Sequence, residues 1–212
     1  MNNKISLCLI CQNEEEVIER CLSHIYKYVD EINIVDGGSI DNTLKIIDKF
    51  KEEHESEVLR VNIIQKPFEQ HFANQKNEAL KLATMDWILW IDPDEIYEDD
   101  FLKSLNRLIE FANQNKIEAY EFPRKTKIDG YLHNIVDQDC QTRMWKNKIG
   151  AHFTGRIHES PTGFGRKEKA NLWILHFKSQ EQQQKDNEGY WDMGQQPPLG
   201  WNKVDGKWIK NG

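Results

Sequence analysis

The strongest constraint on the fold is a repeated alternation of strand-like and helix-like segments over residues 1–115. Each short, continuous apolar run is followed by a longer segment in which apolar residues recur every three or four positions. The four predicted strands are Ile5–Cys11, Glu31–Asp36, Val58–Gln65 and Asp86–Asp92, and the four predicted helices are Asn13–Tyr28, Asp41–His54, Gln70–Ala83 and Asp99–Asn113. This order predicts an α/β fold with a mainly parallel, doubly wound sheet that is covered by helices on both faces.

The alternation stops after residue 115. Three further segments have strand patterns, Lys116–Pro123, Cys140–Lys146 and Asn171–Lys178, and we expect them to add antiparallel strands and long loops to the sheet. From Ser179 onward the chain is rich in Gln and then in Trp, and no helix or strand pattern is visible. The predicted organisation is one domain over 1–178, with halves at 1–115 and 116–178, followed by a polar extension over 179–212.

Charge and the N-terminal sequence argue against two classes of protein. The formal net charge of −7 makes electrostatic binding of nucleic acid a poor expectation. The run Ile5–Cys11 is too short to span a membrane and lacks a cleavage-site pattern, so we expect a cytoplasmic protein. Cys8 and Cys11 have a zinc-like spacing, but side chains three apart in a strand point to opposite faces. Free, buried thiols are therefore the favoured interpretation, in a reducing compartment.

Acidic residues end two of the predicted strands. Asp36 ends the second strand, and Asp92-Pro93-Asp94-Glu95 follows the fourth. Because ligands bind at the carboxyl ends of parallel strands, these acids are expected to face one cleft. Asp92 and Asp94 can hold a hard cation such as Mg²⁺ together with substrate phosphates. The alternative is an acidic turn that only favours the N-terminus of the next helix.

Two glycines follow Asp36 directly. Gly37 and Gly38 allow a ligand to approach the backbone closely, and Asp36 can accept hydrogen bonds from a ribose or a base. The alternative is an ordinary strand–helix turn in which Ser39 or Asp41 caps the helix. Neither the dinucleotide fingerprint nor the phosphate-binding loop motif is present.

Three further polar positions have both a functional and a structural interpretation. Lys76 and Asn77 lie on the predicted polar side of the third helix. The functional interpretation is that they bind a phosphate, and the structural one is that they face solvent. His176 lies on an apolar strand, either as a buried, hydrogen-bonded histidine or as a neutral metal ligand.

A carboxylate in the irregular half is the candidate general base. Glu159 follows His158 in a loop opened by Gly155, and a carboxylate placed there can remove a proton from a substrate hydroxyl. The alternative is that Glu159 pairs with Arg156 or Arg143.

Taken together, these segments resemble the inverting glycosyltransferases of family 2. The resemblance rests on ISLCLICQNE (residues 5–14) with Cys21-Leu22, on VDGGSIDNT (35–43) and on WILWIDPDE (87–95). The small bacterial subgroup that includes lipopolysaccharide-core glucosyltransferases is the closer match, because Arg143-Met144-Trp145, the run 155–159 and His176 also resemble it. The resemblance covers roughly residues 4–178.

The resemblance implies a GT-A-type fold and a metal-dependent, inverting hexosyltransferase. It implies a nucleoside-diphosphate sugar donor, a UDP-sugar for preference, and a glycan or lipid-linked glycan acceptor, through which the protein could associate peripherally with a membrane. The implied donor-binding residues are Cys11, Asn13, Glu14, Asp36, Gly38, Lys76 and Asp92; Asp94 and His176 would ligate Mg²⁺ or Mn²⁺, and Glu159 would be the catalytic base. One departure is Lys76, where the family commonly has Arg, so the charge is kept but the bidentate geometry is lost.

Two other functions share part of this pattern. A sugar nucleotidyltransferase has a similar sheet and metal-binding acids, but it needs an early glycine-rich, basic loop, whereas residues 11–14 are acidic. A non-catalytic carbohydrate-binding module could use the seven tryptophans to stack on sugars, but Trp87 and Trp90 lie in a predicted buried strand.

Overall fold

A computed structural model describes residues 3–134 and 140–210 of the chain. The strands are β1 (Ile5–Cys11), β2 (Glu31–Asp36), β3 (Arg60–Gln65), β4 (Trp87–Trp90), β5 (Glu95–Tyr97), β6 (Ala119–Ile128), β7 (Tyr131–Asn134), β8 (Cys140–Lys146), β9 (His152–Thr154), β10 (Ser160–Thr162), β11 (Lys167–Lys169), β12 (Ile174–Lys178), β13 (Trp201–Val204) and β14 (Lys207–Lys210). The helices are α1 (Ile18–Ile25), α2 (Thr43–His54), α3 (Phe72–Leu82), α4 (Asp99–Asn115) and α5 (Gln180–Asp192), and a 3-10 turn covers Tyr26–Tyr28.

The first half of the chain forms the predicted parallel sheet. Strands β3, β2, β1 and β4 are neighbours in that order, and every pair among them is parallel. Leu7 and Leu9 of β1 belong to the core that also contains residues of α1, α2 and α4, whereas Cys8 packs on the other face with Ala79 of α3. Helices therefore cover both faces, and the doubly wound α/β prediction is confirmed.

The second half extends the sheet in mixed directions. Strand β8 lies antiparallel between β4 and β6, and β12 pairs parallel with β6 and antiparallel with β5. The added antiparallel strands are thus confirmed. The strand predicted from Lys116 begins later, because Lys116 adopts a left-handed conformation (φ 56°) at the end of α4 and the chain turns there.

The sequence after Ser179 has no visible helix or strand pattern, yet the structure has regular elements there. Helix α5 occupies Gln180–Asp192, and β13 and β14 form a hairpin. Trp191 is the one buried residue of this helix, so its sequence has no apolar stripe. The helix is stabilised instead by the Ser179 cap and by hydrogen bonds between side chains four residues apart. Asp205-Gly206, a common hairpin turn pair, was the missed signal for the hairpin.

Two further findings concern the state of the cysteines and the length of the helices. Cys8, Cys11 and Cys21 are free and buried, and Cys140 is free and half-buried, in agreement with the sequence. Among the helices that the structure describes, none is both long enough and apolar enough to cross a membrane.

Candidate functional site

Asp36, at the carboxyl end of β2, shapes the loop that follows it. Its buried carboxylate accepts hydrogen bonds from the backbone N–H of Gly38 (2.9 Å) and of Ser39 (3.0 Å) and from the Ser39 hydroxyl. Gly38 has a φ of +102°, which a residue with a Cβ rarely adopts. The carboxylate therefore holds the backbone of this turn in a defined shape at the sheet edge.

The loop after β1 is joined to the loop after β2. The Asn13 backbone N–H donates to the Ser39 hydroxyl (2.8 Å), and the Asn13 side chain accepts from the Ile40 N–H (2.8 Å). The Glu14 N–H donates to the Thr43 hydroxyl (2.7 Å). These bonds bring the predicted donor-binding positions of β1 and β2 together at one edge, and Cys11 Sγ lies 3.9 Å from an Asp36 oxygen.

Asp92, beyond the end of β4, is the centre of a dense polar network. One carboxylate oxygen accepts from Lys76 Nζ (3.1 Å) and Trp90 Nε1 (3.0 Å), and the other accepts from Arg143 Nη2 (2.6 Å). Burial alone would raise the pKa of Asp92, but the charges of Arg143 and Lys76 outweigh it and hold that pKa well below its ordinary value. Asp92 is therefore an anion with a fixed orientation.

Arg143 connects this turn to the second half of the sheet. It lies on β8, and the same Nη2 that binds Asp92 also donates to Glu95 Oε1 at 2.6 Å. Arg143 and Glu95 are both buried, so each charge depends on the other for compensation. The ion pairs therefore set the position of the Asp92–Glu95 turn from a strand that is about fifty residues later in the chain.

Lys76 is not on a solvated helix face. It is buried on α3, and its ammonium lies 3.1 Å from Asp92 Oδ1 and 2.6 Å from Glu159 Oε1. The Trp90 and Phe153 rings lie beneath the ammonium, with centroids at 4.9 and 5.3 Å. The face of α3 toward the sheet thus carries a charged side chain, because two carboxylates that arrive from other segments neutralise it.

The loop that carries Glu159 is fastened to α3 by several bonds. Asn77 exchanges two hydrogen bonds with the backbone of Phe153 (2.8 and 3.0 Å), and the Phe72 N–H donates to the Arg156 carbonyl (3.0 Å). Glu159 pairs with Lys76, so the alternative in which it pairs with Arg156 or Arg143 was wrong. Glu159 therefore lies beside the Asp92 network, to which Lys76 links it.

Asp94 and His176 form the second polar pair of the cleft. His176 Nε2 lies 2.9 Å from Asp94 Oδ2, and Nδ1 lies 3.1 Å from the Thr126 hydroxyl. Lys178 Nζ lies 3.8 Å from the same Asp94 oxygen and also binds Asp186 of α5. In the part of the chain that the structure describes, no cluster of three or more His, Cys, Asp or Glu side chains is arranged to hold a metal ion.

The pKa of Glu14 is raised by burial and by nearby carboxylates. Burial raises its pKa to about 8, and the carboxylates of Asp94 and Asp186 add to the increase, while Lys178 opposes it. Glu14 follows β1 and Asp94 follows β4, and these two strands are parallel neighbours, so both residues lie at the same edge of the sheet. A cation that entered here would lower the pKa of Glu14.

Sequence reasoning did not assign roles to Arg143, Lys178, Asp186 or Tyr190. A signal existed for Arg143, since an arginine beside Met144 on an apolar strand requires a buried acidic partner. Asp186 and Tyr190 lie on α5, which has no apolar period to indicate which side faces the protein.

The sequence matches the family described as Glycosyl transferase family 2 over residues 6–187. Among curated proteins, the chain is 25% identical over 163 residues to the SPbeta prophage-derived glycosyltransferase SunS of Bacillus subtilis, a match that covers 76% of this chain and 35% of that protein. The chain spans about a third of the length of the first curated relatives that it matches.

Solved structures show the same fold at low sequence identity. The crystal structure of S. aureus TarS 1–349 in complex with UDP-GlcNAc superposes with a TM-score of 0.63 at 16% identity, and covers 82% of this chain and 58% of that one. The mannosyltransferase PcManGT from Pyrobaculum calidifontis, in complex with GDP-Man and Mn²⁺, superposes with a TM-score of 0.65 at 15% identity, and covers 88% of this chain and 60% of that one. The sheet is thus of the GT-A-like type.

Proposed function

The chain belongs to glycosyl transferase family 2, and we propose that it moves a hexose from a UDP-sugar to a hydroxyl of a glycan or lipid-linked glycan, with inversion and with Mg²⁺ or Mn²⁺. Family membership makes it a glycosyltransferase, which excludes the nucleotidyltransferase and the carbohydrate-binding module as alternatives. The observation that carries the proposal is the arrangement at one edge of the sheet. Asp36 lies at the carboxyl end of β2 and Asp94 follows that of β4, and both strands are parallel to β1. Asp94 pairs with His176, and Glu159 is linked to Asp92 through Lys76.

The Asp94–His176 pair fits a divalent cation. A carboxylate oxygen and an imidazole nitrogen 2.9 Å apart can turn toward a common ion, and both are ligand types that Mn²⁺ accepts. Two protein ligands suffice, because Mg²⁺-type ions commonly complete their shell with waters and substrate phosphates. Bound there, the ion would act as a Lewis acid that stabilises the negative charge of the leaving diphosphate.

The donor would bind along the edge formed by β1, β2 and β4. Asp36, Gly38 and the segment of Cys11, Asn13 and Glu14 are proposed to hold the nucleoside, and Asp92 the ribose. The support is that hydrogen bonds join the loops after β1 and β2 into one surface. A surface that is already ordered loses little entropy on binding.

Glu159 is proposed as the base that deprotonates the acceptor hydroxyl. Its carboxylate is partly buried, with 13% of the side chain exposed, and it is held by Lys76 at 2.6 Å. Lys76 binds Asp92 as well, so one ammonium would orient both the base and a donor-binding carboxylate. The acceptor oxygen then attacks the anomeric carbon opposite the diphosphate, and direct displacement inverts the configuration.

Donor screening tests this proposal. Thermal unfolding is measured with UDP-glucose, UDP-galactose, UDP-N-acetylglucosamine and GDP-mannose, each with Mn²⁺ or with excess EDTA. We expect one UDP-sugar to raise the melting temperature in Mn²⁺ as its concentration exceeds its Kd, and much less in EDTA. No stabilisation by any UDP-sugar would refute the donor assignment, and full donor turnover in EDTA would refute the metal dependence.

A cytoplasmic location and a peripheral membrane association through the acceptor stay predictions, as does the division of the chain at residue 178. The resemblance to lipopolysaccharide-core glucosyltransferases supports a glucosyl donor and places UDP-glucose first in the screen.

A further inference from the structure

Three aromatic side chains pack together where α5 meets the loop that carries Glu159. We call Phe72, His158 and Tyr190 the aromatic wall. The Tyr190 ring centroid lies 6.1 Å from that of Phe72 and 5.3 Å from that of His158. Phe72 and Tyr190 are half-buried and His158 is exposed, so part of each ring is accessible.

The wall is assembled from three separate segments that are tied together. Phe72 begins α3, and its N–H donates to Arg156 in the loop of His158 (3.0 Å). The His158 ring contacts the Gln195 side chain at 2.8 Å, just beyond α5. Further back on α5, Asp186 pairs with Lys178. These contacts hold Tyr190 of α5 against the loop that supplies the proposed base.

Tyr190 lies one helical turn after Asp186 on α5, so the two side chains lie on the same side of the helix. Burial raises the pKa of Tyr190, and the carboxylates of Asp186, Glu159 and Asp92 add to the increase, while Lys178 opposes it. Within the described part of the chain, the hydroxyl makes no hydrogen bond. The half-buried Tyr190 ring, packed on the residue that precedes the proposed base, therefore has a hydroxyl available to a ligand.

We propose that the aromatic wall is the acceptor subsite and that it binds a pyranose ring, which presents one hydroxyl to Glu159. This inference rests on the proposed function. The apolar C–H face of a pyranose packs against aromatic rings, while its hydroxyls can bond to the Tyr190 hydroxyl, the His158 ring and Gln195. A peptide would also use aromatic surface, but the density of side-chain hydrogen-bonding groups around the wall favours a polyhydroxylated ring.

Ligand-observed NMR on the intact protein, with UDP and Mn²⁺ present, tests the subsite. The probes are the methyl pyranosides of glucose, galactose, mannose and N-acetylglucosamine, and the peptide acetyl-Gly-Ser-Gly-amide. We expect at least one glycoside to show saturation transfer and to have a measurable Kd. Tyr190→Ala should weaken that binding about five- to tenfold, whereas Tyr190→Phe, which keeps the ring, should weaken it by no more than about threefold.

Two further variants make the result specific. His158→Asn removes another ring of the wall. Asparagine tolerates the left-handed backbone conformation of this position (φ 53°), and we expect the glycoside affinity to fall about fivefold. Phe111→Ala removes a ring that is 51% exposed on α4 and should leave glycoside binding unchanged. The affinity for UDP, measured in the same samples, shows whether each variant is folded.

The outcomes separate this inference from the proposed function. If the wild type binds UDP but none of the glycosides, or binds only the peptide, the subsite is wrong while the donor proposal stands. Equal glycoside binding by the wild type, Tyr190→Ala and His158→Asn would also overturn it. A wild type that binds neither UDP nor UDP-sugars contradicts the proposed function itself.

Discussion

The two sides of the cleft are positioned by different kinds of interaction. On the donor side, the Asp36 loop and the Asn13 segment are held by hydrogen bonds that mostly involve backbone groups of adjacent strand ends. On the side of the proposed base, ion pairs between residues far apart in the chain set the geometry: Lys76 with Glu159, and Arg143 with Asp92 and Glu95.

This difference implies different responses to mutation. The loops after β1 and β2 are held by hydrogen bonds from backbone N–H groups to the side chains of Asp36, Ser39 and Asn13. Substitutions on the proposed donor side that spare these three side chains should mainly alter ligand affinity. Buried ion pairs leave an uncompensated charge when one partner is removed. Substitutions among Lys76, Arg143 and Glu159 should therefore change stability or turnover more strongly than donor affinity.

The largest effect is expected at Glu159. Glu159→Gln keeps the shape but removes the basicity, and kcat should fall about 10²–10⁴-fold while the Kd for the donor stays the same. Glu53→Gln, an exposed change on α2, should have no effect. Near-normal turnover by a folded Glu159→Gln protein would show that Glu159 is not the catalytic base.

The next largest effect is expected at Asp94, the proposed metal ligand. Asp94→Ala should reduce turnover about 10³-fold if Asp94 binds the metal as proposed, because removing such a ligand costs several kcal/mol of charge stabilisation. The dependence of UDP binding on Mn²⁺, measured by calorimetry, should disappear as well. Asp48→Ala on the exposed face of α2 is the matched control. If Asp94→Ala retains metal-dependent UDP binding, the ion is held elsewhere.

A substitution of Arg143 tests whether its geometry, and not only its charge, stabilises the fold. Arg143→Lys keeps the positive charge but cannot span Asp92 and Glu95 in the same way, so we expect a loss of about 1.5–3 kcal/mol in the free energy of unfolding. Denaturant unfolding measures the loss, and Arg107→Lys on the surface of α4 should be neutral. Unchanged stability in Arg143→Lys would contradict the clamp described for the Asp92–Glu95 turn.

The last prediction concerns Glu14 and depends on pH. Its pKa is raised from 4.5 to about 8, so the folded protein binds this proton more tightly than the unfolded chain. Stability is therefore lost as the pH rises through this interval. Relative to the wild type, Glu14→Gln should gain about 3–4 kcal/mol of stability between pH 5 and pH 8, or roughly 7–14 °C in melting temperature. A stability difference between the two that is the same at both pH values would contradict the raised pKa.

Much of the fold and part of the site could be predicted from local patterns. The strand that ends near Asp92 is a continuous apolar run, and the strand that ends in Asp36 has apolar residues at Ile32, Ile34 and Val35. Parallel packing brings their carboxyl ends to one edge. The position of Lys76 could not be predicted in this way, since a lysine on a helix faces water unless distant acids approach it. Helix α5 was missed because polar i,i+4 pairs, which leave no hydrophobic period, stabilise it.

The sequence by itself determined the doubly wound sheet, the acidic strand ends and the family, because hydrophobic periodicity and contiguous motifs are local properties of the chain. Only the tertiary structure decided which charges meet. Lys76, Asp92, Glu159 and Arg143 lie on four different segments, and their pairing depends on how β8 and the Glu159 loop pack against α3 and β4. Coulomb energy acts through space and is strongest where water is excluded, so linear spacing does not encode it.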